Sequence, residues 1–209
     1  EAIGYTAGYA TIYTRDVNQA EFYDIEIYEY SDLQPHQYTS SQRPIYRDKY
    51  LEFDGVDDFL MLPVFQLPPP FTVMMAVETV KLSGTQALFS SGQSGYLLMA
   101  SSSTNLGLQQ NSGNPTLYQS KLDKDVLLHG VSEGVATLKT NVGQSQSSEL
   151  VAVSPYSATT QKYIANFNAS SFTTAAGIKL YAMLVINRAL TDKEEAAVRK
   201  LFNKKMGIV

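Results

Sequence analysis

With 209 residues, 44% of them apolar, the chain is long enough to bury a substantial core, and its size favours one main domain. It has no cysteine, which excludes disulfides, thiol nucleophiles and thiolate metal sites. A net charge of −4, with sixteen basic residues spread thinly, predicts no nucleic-acid partner, and no apolar run approaches the ~20 residues that span a bilayer, which predicts no membrane partner.

Tyrosine crowds residues 1–30, and tyrosine and β-branched residues alternate with other residues in residues 9–13 and again in residues 22–30. This alternation predicts two strands joined across residues 16–19, that is, a hairpin. Residues 31–43 carry Ser, Gln and Pro without a period and are typical of a surface connection. Because the first residue is not Met and no signal segment follows it, we expect the chain to be a piece of a longer protein.

From residue 44 onward, apolar stretches recur at short intervals with turn residues between them, which predicts an antiparallel, all-β structure. Residues 50–62 predict a strand, a hairpin turn at Asp54-Gly55 and a second strand. The apolar run 71–80, which follows three prolines, predicts a central strand covered on both faces. A loop is predicted at residues 143–148, and further strands at residues 87–90, 96–100, 106–110, 126–132, 135–141, 150–153 and 163–167.

The last strand and the helix after it are the best-defined local elements. Strict alternation over residues 178–186 predicts that the even-numbered residues share one face. Thr191 and Glu194 have the spacing of a reciprocal capping box, and an apolar stripe that ends at Phe202 follows them. Basic residues and then Gly207 are typical of a helix C-terminus. We therefore expect one short α-helix at the end of the chain.

These segments together resemble a known superfamily. The segments are SSQRPIYRDKYLEFDGVDDFLML, FTVMMAVE, ALFSSG before YLLM, and IKLYAMLVINRALTDKEEAAVRKLFNKKMGI, and the resemblance runs from about residue 38 to about residue 206. In that order they resemble the concanavalin A-like lectin/glucanase superfamily, in particular the laminin-G-like jelly rolls of phage and bacterial surface proteins. The resemblance implies that residues 33–209 form an all-β, antiparallel two-sheet jelly-roll sandwich with one short C-terminal helix.

The resemblance also implies a class of function. Such domains bind ligands, commonly sugars, on a concave sheet face or on rim loops, and often serve in adhesion or virion attachment. It therefore implies a non-catalytic binding or structural module on a virion or an extracellular surface. Its expected partners are glycans or cell-surface receptors, other virion subunits and copies of itself. Residues 1–32 fall outside the resemblance, so their hairpin is either an addition to the sandwich or the tail of a preceding module.

An enzymatic alternative depends on Asp24, Glu26 and Glu29. Carboxylates two residues apart on a strand share a face and lie about 7 Å apart, near the separations that glycoside hydrolases use. The related laminarinase-type enzymes, however, carry Glu-x-Asp-x-x-Glu or Glu-x-Asp-x-Glu, whose first two acids stand in the opposite order. A solvated strand face is the simpler interpretation. We predict no enzymatic activity, and a glycoside hydrolase or polysaccharide lyase is the alternative hypothesis.

A second acidic group consists of Asp54, Asp57 and Asp58. With Glu52, these residues could supply oxygen ligands to Ca2+, which takes six to eight of them. The Asp54-Gly55 pair is also typical of a hairpin turn, and this interpretation is favoured. No cofactor is predicted, and Ca2+ at the three aspartates is the open alternative.

The chain has no tryptophan, whose flat indole face is a favoured stacking surface for sugars. Tyrosine could replace it, because a tyrosine near a loop offers a ligand both a ring and a hydroxyl. We predict ligand-binding roles for Tyr38, Tyr46, Tyr96, Tyr118 and Tyr156. Tyrosines at strand spacing are more often part of the wall of a sheet.

Overall fold

A computed structural model describes residues 35–65, 67–68, 70–81, 85–90, 96–101, 105–108, 117–120, 124–132, 135–140, 145–149, 161–166 and 175–208. The chain divides into two units, Glu1–Tyr30 and Ser31–Val209, and every described residue belongs to the second. The predicted N-terminal hairpin lies outside the described residues. Its relation to the sandwich and the boundary near residue 32 therefore stay predictions.

Short strands dominate the described residues. One turn of 3-10 helix, Ser40–Gln42, precedes them, and the α-helix α1 (Asp192–Met206) follows them. The strands in chain order are β1 (Ile45–Arg47), β2 (Tyr50–Glu52), β3 (Leu60–Leu62), β4 (Phe71–Lys81), β5 (Thr85–Ser90), β6 (Tyr96–Ser101), β7 (Asn105–Leu108), β8 (Leu117–Ser120), β9 (Lys124–Ser132), β10 (Val135–Lys139), β11 (Ser145–Glu149), β12 (Lys162–Ile164) and β13 (Gly177–Ile186).

The strands form two antiparallel sheets. Within the described residues, one sheet has seven strands in the order β1-β2-β13-β4-β9-β10-β11, and the other has six in the order β3-β12-β5-β6-β7-β8. Neighbouring strands pair antiparallel in both. This architecture confirms the predicted all-β sandwich with a C-terminal helix. No helix in the described part of the chain is long and apolar enough to cross a membrane.

The main core lies between the two sheets. The seven-stranded sheet contributes Val73, Met75 and Val77 of β4, and the six-stranded sheet contributes Leu88 of β5 and Ile164 of β12. Residues two apart on a strand point to the same face, so the odd-numbered residues of β4 face this core. The even-numbered residues of β4 must therefore be covered by something else.

Helix α1 covers the opposite face of the seven-stranded sheet, which is named the outer face below. Met74 and Ala76 of β4 lie in a second buried cluster with Phe202 and Met206 of the helix. Burial of a large apolar side chain contributes about 1.5–3 kcal/mol, so these helix residues hold α1 on the sheet. Strand β4 thus has both faces covered, as its continuous apolar run predicts.

Strand β13 departs from the predicted alternation. Its pairing with β4 slips by one residue between Leu180 and Ala182, and Tyr181 is the extra residue of this β-bulge. Before the bulge, the even-numbered Leu180 lies in the main core; after it, the odd-numbered Val185 packs against that core and the even-numbered Leu184 packs in the outer cluster. The prediction that all even-numbered residues share one face is therefore wrong beyond the bulge.

Helix α1 begins and ends as the sequence predicts. Thr191 Oγ1 accepts the backbone N–H of Glu194, and the Glu194 carboxylate accepts the backbone N–H of Thr191 at 2.8 Å. Arg188 donates two further hydrogen bonds to the same carboxylate, at 2.7 and 2.8 Å. The hydrogen bonds from Arg188 and then from Thr191 lower the pKa of Glu194 to about 2. Gly207 ends the helix in the left-handed conformation, with φ 70°.

An ion-pair network ties α1 to the sheet. Glu195 accepts hydrogen bonds from Lys139 of β10 at 2.6 Å and from Arg199 at 2.8 Å. Arg199 Nη1 also donates to the carbonyl of Val126 in β9 at 2.7 Å. The side chains of Glu195 and Arg199 are only 14% and 16% exposed, so their mutual attraction is partly shielded from solvent.

The loop predicted at residues 143–148 is wrong over most of its length. Residues 145–149 form β11, which pairs with β10 at the edge of the seven-stranded sheet. Its sequence, SQSSE, has no apolar alternation, and pairing with the neighbouring strand overrides that weak local preference. The predicted strand at residues 150–153 lies outside the described residues.

Candidate functional site

The loop between β2 and β3 brings three carboxylates together. Asp54, Asp57 and Asp58 each place a carboxylate oxygen within 4.8 Å of the others. Asp54 Oδ1 accepts the backbone N–H groups of Val56 at 2.8 Å, Asp57 at 3.3 Å and Asp58 at 3.4 Å. The Asp58 carboxylate in turn accepts the backbone N–H of Asp54 at 3.0 Å. Two of the three carboxylates therefore hold the backbone of their own loop.

This loop does not close a hairpin. Strand β2 belongs to the seven-stranded sheet and β3 to the six-stranded sheet, so the Asp54-Gly55 turn carries the chain from one sheet to the other. Gly55 has φ 71°, a conformation that glycine adopts without a Cβ penalty. The predicted hairpin is wrong because an Asp-Gly pair specifies the local turn and not the sheet that the next strand joins.

Asp58 is 6% exposed, and burial raises the pKa of its carboxyl to about 6, while the hydrogen bond from Asp54 opposes the rise. Ca2+ takes six to eight oxygen ligands, and the three side chains supply part of such a shell. Because Asp54 and Asp58 already accept backbone hydrogen bonds, the arrangement fits a turn held by its own carboxylates. Calcium binding by Asp54, Asp57 and Asp58 stays a prediction.

Tyr38 and Tyr46 expose 78% and 72% of their surface. The Tyr38 ring lies beside that of His36, with centroids 4.7 Å apart, and the Tyr38 carbonyl accepts a hydrogen bond from Arg43 at 3.3 Å. Tyr46 lies on the edge strand β1, and its hydroxyl donates to the carbonyl of Asp48 at 3.1 Å. Both rings are thus accessible and are carried by backbone that hydrogen bonds hold in place.

The remaining predicted site residues are not brought together with these two rings by any described contact. Tyr96 begins β6 and Tyr118 lies in β8, two strands of the six-stranded sheet. Four further residues lie outside the described part of the chain: Tyr156, Asp24, Glu26 and Glu29. The ligand-binding role of the tyrosines and the catalytic alternative therefore stay predictions.

A row of charged residues crosses the outer face of the seven-stranded sheet. Lys179 of β13 stands opposite Glu52 of β2 and Glu78 of β4, and Glu78 stands opposite Lys124 of β9. Lys179 Nζ donates to Glu78 Oε1 at 2.7 Å, and both side chains are 25% exposed. Opposite charges facing each other across strands stabilise a sheet. These four residues are named the polar row.

Two tyrosines adjoin the polar row. The ring centroids of Tyr50, on β2, and Tyr181, the bulge residue, are 5.2 Å apart, and the ring planes are inclined by 50°. The Tyr181 hydroxyl donates to Glu78 Oε2 at 2.7 Å. The Lys124 ammonium lies 5.1 Å from the Tyr181 ring centroid, and that of Lys179 lies 5.4 Å from the Tyr50 centroid. The polar row with Tyr50 and Tyr181 is named the platform.

Hydrogen bonds fix the charges of the platform. The hydrogen bond from Lys179, joined by that from Tyr181, lowers the pKa of Glu78 against the effect of burial. The same ion pair raises the pKa of Lys179. Burial, followed by the hydrogen bond to Glu78, raises the pKa of the Tyr181 hydroxyl. Near neutral pH the platform therefore presents a carboxylate, an ammonium and a neutral phenol at fixed positions.

Sequence reasoning missed the platform. Its residues come from four strands that are distant in the chain, and only the register of β2, β13, β4 and β9 unites them. One signal was present, because Lys179 and Tyr181 interrupt an otherwise apolar strand at alternate positions. Residues two apart share a face, so that face of β13 could have been recognised as polar.

Comparison with solved structures places this fold beside glycan-related proteins. Trypanosoma rangeli sialidase in complex with sialic acid matches with a TM-score of 0.59 and 17% identity, over 78% of this chain and 29% of the sialidase. Ruminococcus gnavus IT-sialidase CBM40 matches with a TM-score of 0.51 and 12% identity, over 64% of this chain and 83% of that domain. At these identities the likeness shows the β-sandwich fold.

This chain spans less than a third of the length of the Trypanosoma rangeli sialidase that it matches. A mutant of that sialidase displaying trans-sialidase activity matches equally, with a TM-score of 0.59 and 17% identity over 78% of this chain and 29% of the mutant. No family model and no curated protein sequence matches the chain.

Proposed function

We propose that the chain is a non-catalytic, glycan-binding module with a concanavalin A-like jelly-roll fold, displayed on a phage virion or a bacterial surface. The observation that carries the proposal is the exposure of two aromatic rings, at 78% for Tyr38 and 72% for Tyr46. Removal of such a ring from water would contribute about 1.5–3 kcal/mol of favourable free energy. Folding does not bury either ring, so neither contributes this free energy in the unbound protein. A sugar that covers the rings would recover part of it.

The segment that carries Tyr38 is held in place before any ligand arrives. Gln37, which is 7% exposed, accepts the backbone N–H of Thr39 at 2.9 Å and, through its carbonyl, the Nε–H of Arg43 at 2.8 Å. The adjoining backbone is joined to β3 by the bridge between His36 and Met61. Because this segment is already ordered, binding would cost less conformational entropy than it would in a free loop.

The matching structures support a binding module. Two of them are a sialidase in complex with sialic acid and a carbohydrate-binding module of a second sialidase. The match covers 83% of the carbohydrate-binding module but only 29% of the sialidase. The matched region therefore corresponds to a module of such a protein better than to a whole enzyme.

A glycoside hydrolase or polysaccharide lyase is the second candidate, because sialidases are among the matching structures. Its acids would be Asp24, Glu26 and Glu29, which lie before the described residues. The order of the first two acids is opposite to that of the laminarinase-type enzymes, and this favours the binding module.

Glycan-array screening of the pure chain, followed by calorimetric titration of the strongest sugar, tests the proposal. Sialylated probes belong on the array beside neutral ones. The single substitutions Tyr38→Ala and Tyr46→Ala should each weaken binding roughly tenfold, which corresponds to about 1.4 kcal/mol of binding free energy. Val64→Ala is the matched control, because Val64 is apolar and 51% exposed without an aromatic ring. Its affinity should equal that of the wild type.

Failure to bind any glycan or any bacterial cell, together with cleavage of a polysaccharide by the pure chain, would overturn the proposal. Loss of that cleavage in Asp24→Asn, Glu26→Gln or Glu29→Gln would assign the activity to the second candidate. Contact with neighbouring virion subunits or with further copies of the chain belongs to the same proposal. Sedimentation velocity that shows a strict monomer at high concentration would remove the part that concerns self-association.

A further inference from the structure

We propose that the platform on the outer face of the seven-stranded sheet is a subsite for the carboxylate-bearing residue of an acidic glycan. This inference rests on the proposed function and names both a second binding surface and a ligand class. It is separate from Tyr46, because Tyr46 stands opposite Leu51, which packs against the main core, whereas Tyr50 and Glu52 lie on the other face of β2. Tyr38 lies on the segment before β1.

The two platform tyrosines provide an aromatic surface with a defined shape. Their ring centroids are 5.2 Å apart and their planes are inclined by 50°, so the two rings are tilted against each other and not stacked in parallel. Both belong to hydrogen-bonded strands, and Tyr181 is held further by its hydroxyl bond to Glu78 at 2.7 Å. Bulges are over-represented next to active sites, where the extra residue changes the direction of a side chain. Tyr181 occupies such a position.

Together with Arg47, the charged residues of the platform comprise three cations and two carboxylates. Lys179 pairs with Glu78 at 2.7 Å, and Glu52 pairs with Arg47 of β1 at 2.8 Å. Lys124 makes no salt bridge with a carboxylate of the described residues, although its charge contributes to the lowered pKa of Glu78 opposite it, and its ammonium lies 5.1 Å from the Tyr181 ring centroid. The local excess of one positive charge, beside an aromatic ring, favours a ligand with one negative charge next to an apolar face.

The polar groups of the platform match a sugar better than a polyanion. Glu52 and Glu78 accept hydrogen bonds, and sugar hydroxyl groups donate them. The same two carboxylates repel a chain of closely spaced phosphates or sulfates, which would need several unmatched cations. A saccharide with one carboxylate per binding residue satisfies both conditions. Its ring would contact Tyr50 and Tyr181, and its carboxylate would meet Lys124.

The test compares acidic oligosaccharides with their carboxyl-reduced counterparts, which have the same rings and no charge. The wild type should bind the acidic member of a pair roughly tenfold more tightly. Lys124→Ala and Lys124→Gln should remove that preference by weakening the binding of the acidic member of the pair. Tyr50→Ala should weaken both members of the pair. Lys193→Ala is the control, because Lys193 is an exposed lysine of α1 whose loss removes the same charge.

Each outcome decides the inference. If the wild type binds both members of every pair equally, or if both Lys124 variants keep the preference, the platform subsite is refuted while the proposed function stands. Loss of all binding in Tyr38→Ala or Tyr46→Ala, with full binding in Tyr50→Ala, also refutes it. Absence of binding to any sugar overturns the inference and the proposed function together. Melting temperatures of the variants, equal to that of the wild type, confirm that each variant is folded.

Discussion

Replacing Asp58 with asparagine should stabilise the protein at neutral and alkaline pH. The Asp58 side chain is 6% exposed, and its pKa of about 6 lies above the ordinary aspartate value of ~3.9. At about 1.4 kcal/mol for each pKa unit, ionising this buried carboxyl costs the folded state ~3 kcal/mol. Asparagine keeps an oxygen that accepts the N–H of Asp54 and removes the charge, but its amide N–H2 group must find partners of its own. We therefore expect a gain of about 1–2 kcal/mol.

The sign follows from proton linkage. Between pH ~4 and ~6 the folded state holds a proton on Asp58 that the unfolded state has released, so this group makes stability fall as the pH rises. Below that window the wild type and Asp58→Asn should be nearly equal in stability, and above it the variant should melt roughly 2–8 °C higher. Calorimetric melting at pH 4 and pH 8 measures the difference.

Asp48→Asn is the matched control, because Asp48 is an exposed aspartate in the turn between β1 and β2. It should leave the melting temperature unchanged at both pH values. If Asp58→Asn lowers the melting temperature at pH 8, or shifts it equally at both pH values, then burial does not dominate the environment of Asp58 and the reasoning fails.

The same two proteins test the calcium alternative. A ligand at one hundred times its dissociation constant stabilises the folded state by about 2.7 kcal/mol. If the loop binds Ca2+ through Asp54, Asp57 and Asp58, added CaCl2 should raise the melting temperature of the wild type and not that of Asp58→Asn. If the carboxylates only hold the turn, neither protein should respond to CaCl2 or to a chelator.

Three further predictions concern the ends and the attachment of α1. Replacing Glu194 with glutamine should lower the free energy of unfolding by about 1 kcal/mol at pH 7, because it weakens the helix cap and the contact with Arg188. Since the pKa of Glu194 is about 2, urea titrations of variant and wild type should converge only as the pH falls from ~4 toward that value. Gly207→Ala should cost about 1–2 kcal/mol by backbone strain alone, since φ is +70° and nothing lies within 4 Å of the added Cβ; an equally large loss in Gly207→Asn would contradict this explanation. Glu195→Gln should cost about 2–4 kcal/mol in the same assay because Arg199 loses its shielded partner, and a loss below ~0.5 kcal/mol would show that the network adds little.

The sequence predicted the elements whose cause is local. The capping box of Thr191 and Glu194 lies within one helical turn, and the run 71–80 contains enough apolar residues to show that both of its faces are covered. The bulge at Tyr181 could not be predicted in this way, because the extra residue is defined only by the register with β4. Beyond it, a pattern of strict period two assigns every side chain to the wrong face.

The candidate sites also differ in whether their residues are brought together locally or by the pairing of distant strands. Asp54, Asp57 and Asp58 are neighbours in sequence, so their proximity could be predicted, but the sheet that receives the chain after them could not. Tyr50 and Lys124 enter the platform through pairing of distant strands, and one sequence has no information on such pairing. Polar residues within an apolar strand, as in β13, were the only local trace of this surface.

The way in which α1 covers β4 and β9 has a consequence for handling the protein. If the helix detached while the two sheets stayed packed together, an apolar strip would become exposed to solvent on an otherwise folded domain. This strip consists of Met74, Ala76, Val126 and Leu128. Molecules in this state would self-associate through the strip and would keep the circular dichroism spectrum of a β-sheet protein. Truncation of the chain before Thr191, which removes α1, should therefore produce turbidity without loss of the β-sheet signal in circular dichroism. In a denaturant titration of the full chain, turbidity should appear before circular dichroism records any unfolding.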